Sequence, residues 1–361
     1  MLLLYVTKMY SMKLKIILFF IVFTSIFLSC KTKETKKQKQ KSTKLKALII
    51  DGENNHGIWP KTSFMMKDYL EETGLFEVEI NRKAFVWIGP HYNPVDGVSN
   101  INDLLKLYPL EDTIQHIQVD STKYDPNFNP NFENYDLIIS NLGWKSSKWP
   151  QKTKENFENY MKNGGGLVII HAANNAWGDW EAYNEMIGLG AWGGRDKNSG
   201  PYIYYDSHNH IVKDTTVGIC ASHGKQYEFQ IKSRAPEHPI MKDLPKLWLH
   251  TKDELYDRMR GHGKDMTILA TAYSDERNNA PPWDKNVKGT GRNEPILMAI
   301  DYGKGRVFHS ALGHMDYSFE CVGFITTFQR GAEWVATGNV TQKIPKDFPA
   351  IKNTSSRKWN K

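Results

Sequence analysis

Three short apolar segments of this chain each run into a polar loop that contains a histidine. The segments lie at 47–50, 167–170 and 306–312. The histidines that follow them are His56, His171 and His314. In an open α/β sheet, ligands lie beyond the carboxyl ends of the strands. We therefore expect the three loops to meet at one edge of a sheet and to form an enzyme-like site.

The first thirty residues are typical of an export signal rather than of a folded domain. Two lysines, at 13 and 15, precede an uncharged apolar run from 16 to 28, which is short for a membrane-spanning helix. The sequence FLSC at 27–30 resembles a bacterial lipobox. We predict that residues 1–30 are a lipoprotein signal peptide and that Cys30 is lipidated. The protein would then be exported and anchored to a membrane through its lipid, on the periplasmic side or at the cell surface. An ordinary secretory signal is the alternative.

A lysine-rich tether follows at 31–44, and its composition predicts disorder because it cannot form a packed core. Residues 1–46 contain eleven lysines and one glutamate, so the net charge of +7 leaves −3 for residues 47–361. The basic isoelectric point therefore reflects the tether and does not indicate a nucleic-acid partner. Its lysines suit a solvated linker or an anionic lipid surface.

The rest of the chain alternates short apolar strands with amphipathic helices. Strands are predicted at 45–50, 76–80, 135–141 and 167–171, and helices at 62–72 and 153–163. Continuous apolar strands separated by helices are typical of a parallel sheet that is covered on both faces. We predict a flavodoxin-like, doubly wound α/β fold with a mostly parallel sheet. The domain is expected to span 45–340, with a C-terminal tail at 341–361.

Two regions depart from this alternation. Residues 82–134 are rich in Asn, Asp and Pro, which predicts a long insertion with a short helix at 101–108. Residues 295–312 predict a hairpin, and a closing helix is expected at 322–337. Because the two arms of a hairpin run in opposite directions, His314 joins the other histidines only if the second arm is parallel to their strands.

With Cys30 assigned to lipidation, Cys220 and Cys321 remain. In an exported protein they could form a disulfide, or they could be two unpaired thiols. Neither shows the spacing from histidines that is typical of a metal site.

Five motifs, in order along the chain, resemble the ThuA-like (trehalose utilisation) family. They are YDLII at 135–139, GGGLVIIH at 164–171, HPI at 238–240, DELY at 253–256, and YGKGRV at 302–307 with the Gly-His pair at 313–314. The resemblance covers roughly 45–340. It implies a fold related to class I glutamine amidotransferases, a role in sugar catabolism and the processing of 3-keto-glycosides. Because His171 occupies the strand-to-helix turn where the amidotransferases carry their nucleophilic cysteine, we do not expect thiol-based amidotransfer.

Strand position and these motifs together select the candidate site residues. The candidate catalytic residues are His171, Glu254 and His314. The candidate substrate-binding residues are His56, Asn54, Trp144, Asn174, His223 and Tyr256. Trp59, Trp177 and Trp180 are also expected near the pocket, where tryptophan faces could stack on sugar rings. Each group also has an ordinary structural interpretation: a solvated loop for His56, a helix cap for Asn174 and a helix start for the DELY motif.

Together these features predict an exported enzyme of carbohydrate catabolism that uses His/Glu acid–base chemistry on glycosides or 3-keto-glycosides. A ketone at C3 acidifies the proton on C2, so a base can remove it and the C1 substituent can leave by β-elimination. A divalent metal such as zinc, held by histidines, would stabilise the enediolate. The alternative is a non-catalytic glycan-binding lipoprotein. A plain glycosidase normally needs two carboxylates, and the sequence offers no clear partner for Glu254. The oligomeric state stays open.

Overall fold

A computed structural model describes residues 44–90, 96–98 and 100–360. The predicted signal peptide, the lipidation site at Cys30 and the tether up to residue 43 lie outside these residues. In the part of the chain that is described, no helix has the length and apolar character needed to cross a membrane.

Strands and helices alternate along the first half of the described chain, and strands predominate in the second. The strands are β1 (Leu45–Glu53), β2 (Phe76–Trp87), β3 (Ile117–Gln118), β4 (Leu137–Ser140), β5 (Gly166–Ile170), β6 (Tyr202–Tyr205), β7 (Ile211–Asp214), β8 (Tyr227–Ser233), β9 (Leu247–Asp253), β10 (Met266–Tyr273), β11 (Asn293–Tyr302) and β12 (Gly305–Ser310). The α-helices are α1 (Trp59–Glu72), α2 (Ile101–Leu107), α3 (Gln151–Lys162), α4 (Glu181–Ile187), α5 (Asp316–Phe319) and α6 (Val322–Thr337).

Six strands form a parallel half-sheet in the order β3-β2-β1-β4-β5-β12. Successive side chains of a strand point to opposite faces of the sheet. In β1, Ala47 and Ile49 therefore pack in the core beneath α1 and α6, whereas Leu48 and Ile50 pack in the core beneath α3 and α4. The continuous apolar runs are buried on both faces, which confirms the predicted α/β architecture for this half.

The other half of the sheet is antiparallel, so the expectation of a mostly parallel sheet is met in part. It continues from β12 in the order β11-β10-β8-β9, with the β6–β7 hairpin beside β11. Strands with one exposed face alternate polar and apolar residues, so they show no continuous apolar run. In β8, for example, Phe229 and Ile231 are buried while the residues between and beside them are exposed. A search for apolar runs overlooks such strands.

The direction of the hairpin decides whether His314 can join the other histidines. The predicted hairpin is confirmed: β11 and β12 are antiparallel and are joined through Gly303, whose φ is +61°. β12 pairs in parallel with β5, from Arg306 opposite Gly166 to Ser310 opposite Ile170. The loop after β12 therefore leaves the sheet at the same edge as the turn after β5.

The segment predicted as an insertion at 82–134 begins later, because β2 continues through Trp87. Arg82 and Lys83 look like loop residues in the sequence, yet both are buried. Arg82 donates two hydrogen bonds of 3.0 Å to Asp51, and Lys83 Nζ lies 3.9 Å from Glu53 Oε2. These partners let charged side chains occupy a buried strand. The predicted short helix within the segment is present as α2.

The C-terminal region packs closely on the domain. α6 matches its prediction and ends at Gly338, which adopts a left-handed backbone with φ +77°. Beyond it, Ser355 O accepts a 2.9 Å hydrogen bond from Val322 N, and Trp359 Nε1 donates one of 2.9 Å to Asp68. The residues expected to form a tail therefore cover part of the core, with Phe348 and Trp359 packed against it.

The two described cysteines are unpaired. Cys321 is buried directly before α6, and Cys220 is partly buried in the loop that follows β7. Of the two alternatives that the sequence left open, free thiols are the one observed.

Candidate functional site

Four buried side chains converge at the carboxyl edge of the parallel strands. They are His56, His171, Glu254 and His314, and one ligand atom from each lies within 4.8 Å of those of the others. The three histidines follow β1, β5 and β12, as the strand-to-histidine pattern predicted. Glu254 comes directly after β9, from the antiparallel half. We call these four residues the histidine–glutamate cluster.

His171 occupies a sharp turn between β5 and the 3-10 helix His171–Asn175. Its φ of +44° is uncommon for a residue other than glycine, and such conformations are concentrated at functional sites. Nδ1 lies 2.8 Å from Ala311 O. Because a carbonyl oxygen only accepts, Nδ1 carries the proton and Nε2 is left as the acceptor. Nε2 accepts a 2.9 Å hydrogen bond from the Tyr256 hydroxyl.

Glu254 lies among three histidines. Its Oε2 is 3.0 Å from His314 Nδ1 and 3.6 Å from His171 Nε2, and its Oε1 is 3.4 Å from His223 Nδ1. Burial raises the pKa of Glu254, but the charge of His314 and the close polar contacts with His171 and His314 outweigh burial and hold this pKa well below its usual value. The carboxyl group is therefore ionised.

The protonation of His56 and His314 differs. Burial lowers the pKa of His56 well below its usual value, and the neighbouring His314 and His171 lower it further. Burial also lowers the pKa of His314, but the negative charge of Glu254 more than offsets this and raises it. His56 is consequently neutral, which is the form in which an imidazole binds a metal.

The donor set of the cluster fits a divalent metal ion. His314 Nδ1 and Glu254 Oε2 are buried and only 3.0 Å apart, yet among the described residues neither atom has a hydrogen-bond partner of acceptable geometry. Buried polar atoms are rarely left in this state. Imidazole nitrogens with one carboxylate oxygen are ligands for zinc and related divalent ions. The Nδ1–H group of His171 donates to the carbonyl of Ala311, as is usual for a histidine whose other nitrogen binds a metal.

Asp253 joins the two loops that carry Glu254 and His314. Its fully buried carboxylate accepts backbone hydrogen bonds from Glu254 N at 2.9 Å, Gly313 N at 2.9 Å and His314 N at 3.0 Å. His250 Nε2 donates a further one of 2.9 Å. Burial raises the pKa of Asp253, but its hydrogen bond and ion pair with His250 bring the pKa below its usual value. The His250–Asp253 ion pair therefore fixes the positions of Glu254 and His314.

Asn54 orients His56. Its Oδ1 accepts a 2.9 Å hydrogen bond from His56 N and lies 3.2 Å from His56 Nδ1. Its Nδ2 donates to Leu142 O at 3.0 Å, which ties the loop after β1 to the loop after β4. Asn54 therefore fixes the position of His56 in the cluster.

A pocket of about 460 Å³ opens onto the cluster. This volume is in the range of small-molecule sites. Its aromatic walls are Trp144, Trp192 and Trp283, and its amide side chains are Asn55, Asn175 and Gln226. Asn175 Oδ1 and Gln226 Oε1 are buried and have no hydrogen-bond partner among the described residues. Such acceptors are ready to receive hydroxyl groups of a ligand.

Most of the predicted site residues meet in this pocket. It is lined by His56, Trp144, His223, Glu254, Tyr256 and His314, while His171 contacts Tyr256 beneath it. Asn174 does not line it. That side chain is fully buried, with Nδ2 3.0 Å from His309 Nε2, and its neighbour Asn175 faces the pocket instead.

The tryptophans of the pocket differ from those expected. Trp59, Trp177 and Trp180 are buried in the cores and do not line it. Sequence reasoning missed Trp192, Trp283 and Gln226, which belong to loops without periodicity or a recognised motif. The signal for Asn175 was present, since it belongs to the same turn as His171.

Comparisons with known proteins identify the family. A family model described as ThuA, trehalose utilisation, matches residues 46–335. The chain belongs to the ThuA family. A solved ThuA-like protein from Parabacteroides merdae is 37% identical, with a TM-score of 0.71 over 87% of this chain and 98% of the other. Another from Bacteroides uniformis is 17% identical, with a TM-score of 0.48 over 83% and 94%. A comparison with curated proteins found no match.

The ThuA match confirms the family resemblance of the five motifs. It spans the strands and loops that carry all four residues of the histidine–glutamate cluster. Neither of the two described cysteines lines the pocket. The ionisable groups that line the pocket are those of His56, His223, Glu254, Tyr256 and His314.

Proposed function

We propose that this ThuA protein is a metal-dependent enzyme of carbohydrate catabolism, acting on a glycoside or 3-keto-glycoside. The observation that carries the proposal is the four-donor cluster at the floor of a pocket with tryptophan walls and unpartnered amide oxygens. Flat aromatic faces suit the C–H faces of a sugar ring, and the amide oxygens suit its hydroxyls. The family description, trehalose utilisation, supports the same substrate class.

The cluster residues would hold the ion, and other pocket residues would move the protons. A divalent ion would supply stabilisation of the negative charge that develops on a substrate oxygen. His223 is the candidate base. Its Nδ1 donates to Gly224 O at 2.8 Å, which leaves Nε2 as an acceptor. Burial lowers the pKa of His223, so the imidazole is neutral near pH 7 and able to accept a proton.

Tyr256 is the candidate hydrogen-bond donor. Burial raises the pKa of its hydroxyl well above the usual value, and the negative charge of Glu254 raises it further, so the group stays protonated. If His171 Nε2 held an ion, the Tyr256 hydroxyl that now contacts this nitrogen would be free to donate to the substrate.

These roles suit β-elimination from a 3-keto-glycoside. His223 takes the proton from C2, the electron pair forms the C1–C2 double bond, and the C1–O bond breaks. The proton then passes to the leaving oxygen, so no further reactant is needed. Hydrolysis with two carboxylates is less well supported, because Glu254 is the single carboxylate that lines the pocket among the described residues.

Export and lipid anchoring at Cys30 are part of the proposal on sequence grounds. A non-catalytic glycan-binding lipoprotein is the rival. Such a protein would use the tryptophan walls but would have no need of four convergent metal-binding groups.

The test measures metal content and turnover together. We expect the purified protein to bind one divalent ion per chain and to lose turnover of a 3-keto-glycoside when a chelator removes it. His171→Ala and His314→Ala should lose both properties. His208→Ala is the matched control, since that histidine has a 79% exposed side chain outside the pocket. Full turnover by a metal-free protein, or by His171→Ala, would overturn the proposal.

A further inference from the structure

Trp283 presents a large apolar face at the rim of the pocket. It is 59% exposed although it contributes to the pocket lining. Its ring meets the His223 ring edge-to-face, with centroids 4.7 Å apart. His223 in turn lies 3.4 Å from Glu254. The exposed ring of Trp283 therefore contacts a residue, His223, that is itself next to the histidine–glutamate cluster.

Hydrogen bonds connect the loop that carries Trp283 to the segments that form the site. Asn279 is fully buried at the base of this loop. Its Nδ2 donates to Leu255 O and its Oδ1 accepts from Gly224 N, each at 3.0 Å. These partners are the chain neighbours of Glu254 and of the candidate base, so the loop is held to both.

A second restraint comes from the loop sequence itself. Pro281 and Pro282 directly precede Trp283, and each proline fixes its own φ and restricts the residue before it. Arg258 also donates a 2.7 Å hydrogen bond to Lys288 O on the far side of the loop. The exposed indole is thus presented by a restrained loop.

The pocket becomes more open from the cluster outwards. Trp192 is partly buried against Tyr256, with ring centroids 4.9 Å apart, whereas Trp283 faces solvent. The unpartnered oxygens of Asn175 and Gln226 are buried in the inner part. A volume of about 460 Å³ is larger than one pyranose ring fills. The inner part therefore suits a ring with hydroxyls, and the rim suits a second ring.

We infer that Trp283 forms a second-ring subsite and that the substrate is a disaccharide-type glycoside. The reacting ring lies over His223 and the cluster, and the leaving sugar ring stacks on Trp283. This inference rests on the proposed function, because it assumes a carbohydrate in the pocket. A stacking contact of this kind changes affinity by about 3- to 10-fold.

The test is calorimetric titration of the full-length, metal-loaded protein with unoxidised sugars, which bind without turnover. The probes are trehalose, maltose and cellobiose, compared with methyl α-glucoside and methyl β-glucoside. We expect wild type to bind at least one disaccharide about 3- to 10-fold more tightly than the methyl glucosides. Trp283→Ala should remove most of that preference, and Trp283→Phe should keep most of it.

Tyr273→Ala is the matched control, because Tyr273 is 52% exposed on β10 and does not line the pocket. It should bind every sugar as wild type does. The subsite is wrong if wild type shows no preference for a disaccharide, or if Trp283→Ala keeps the preference; the proposed function stands in both cases. If wild type binds none of the five sugars, the subsite is wrong, whereas the proposed function is tested separately by turnover of a 3-keto-glycoside.

Discussion

Replacing Glu294 by glutamine should make the stability of the protein less sensitive to pH. Glu294 lies in β11 and is 2% exposed, with Asp257 buried nearby. Burial, followed by the negative charge of Asp257, raises the pKa of Glu294 from 4.5 to about 7. A 2.7 Å hydrogen bond from Thr290 Oγ1 partly compensates. Glutamine has the same shape and keeps an oxygen that can accept this hydrogen bond.

The sign of the effect follows from the two pKa values. Below pH 4.5 the carboxyl group is protonated in both the folded and the unfolded protein, so it contributes no pH dependence. Between pH 4.5 and about 7 the unfolded chain releases its proton first, and the free energy of unfolding falls as pH rises. Above this range the folded protein carries a buried carboxylate. The difference in pKa corresponds to about 3 kcal/mol.

Glu294→Gln should therefore gain about 3 kcal/mol relative to wild type between pH 4.5 and pH 8, with most of the gain below pH 7. For a domain of this size the gain is about 4 °C in Tm, given an unfolding entropy of ~2.1 cal/mol/K per residue. Thermal unfolding followed by circular dichroism, with a chelator present, measures it. Glu276→Gln removes an exposed carboxylate from the adjoining loop, and its difference from wild type should stay within about 0.5 kcal/mol. A difference between Glu294→Gln and wild type that does not change with pH would refute the reasoning.

Three further changes test the support of the site and the buried charges. Asp253→Asn should lower metal affinity about 10- to 100-fold, because it weakens the anchor of two ligand loops; competition with a chelating dye measures this, and an unchanged affinity would contradict it. Arg82→Ala should cost about 3–5 kcal/mol by leaving Asp51 buried and unpaired, and urea unfolding should show a clearly lower midpoint. Gly143→Ala would place a Cβ 2.6 Å from the Oδ1 of Asn54. The amide must then shift, so the same dye assay should report weaker metal binding, whereas wild-type affinity would show that the loop accommodates a methyl group.

The sequence predicts the parallel half of the fold well, for a physical reason. Strands buried on both faces, such as 137–140 and 166–170, need apolar residues at every position, and such runs stand out. The antiparallel half is hidden because one face of β8 is exposed and its pattern alternates. The extension of β2 is hidden by Arg82, whose charge is typical of a loop until its partner Asp51 is known.

The candidate site is predictable to the extent that it follows from strand ends and motifs. Strand position and the family motif both identify His171. Its φ of +44° agrees with a position in a sharp turn after a buried strand. Glu254 needs the family motif, because nothing in the local sequence shows that β9 ends beside β12. Trp283 cannot be found in this way, since its place depends on the buried contacts of Asn279 and not on any local pattern.

The strand order of the sheet determines when the site can form during folding. β9 is four strands away from β12 in the sheet order, yet Asp253 at its end bonds to Gly313 and His314. Four strand spacings of about 4.8 Å would separate them by about 19 Å in a flat sheet, so the antiparallel half curls back over the sheet edge. Contacts of such sequence separation form slowly, because loop closure must come first. An ion that binds only this closed arrangement would therefore stabilise the contact between the two halves of the sheet. The fraction of protein with a bound ion would then measure how much of the domain has folded completely.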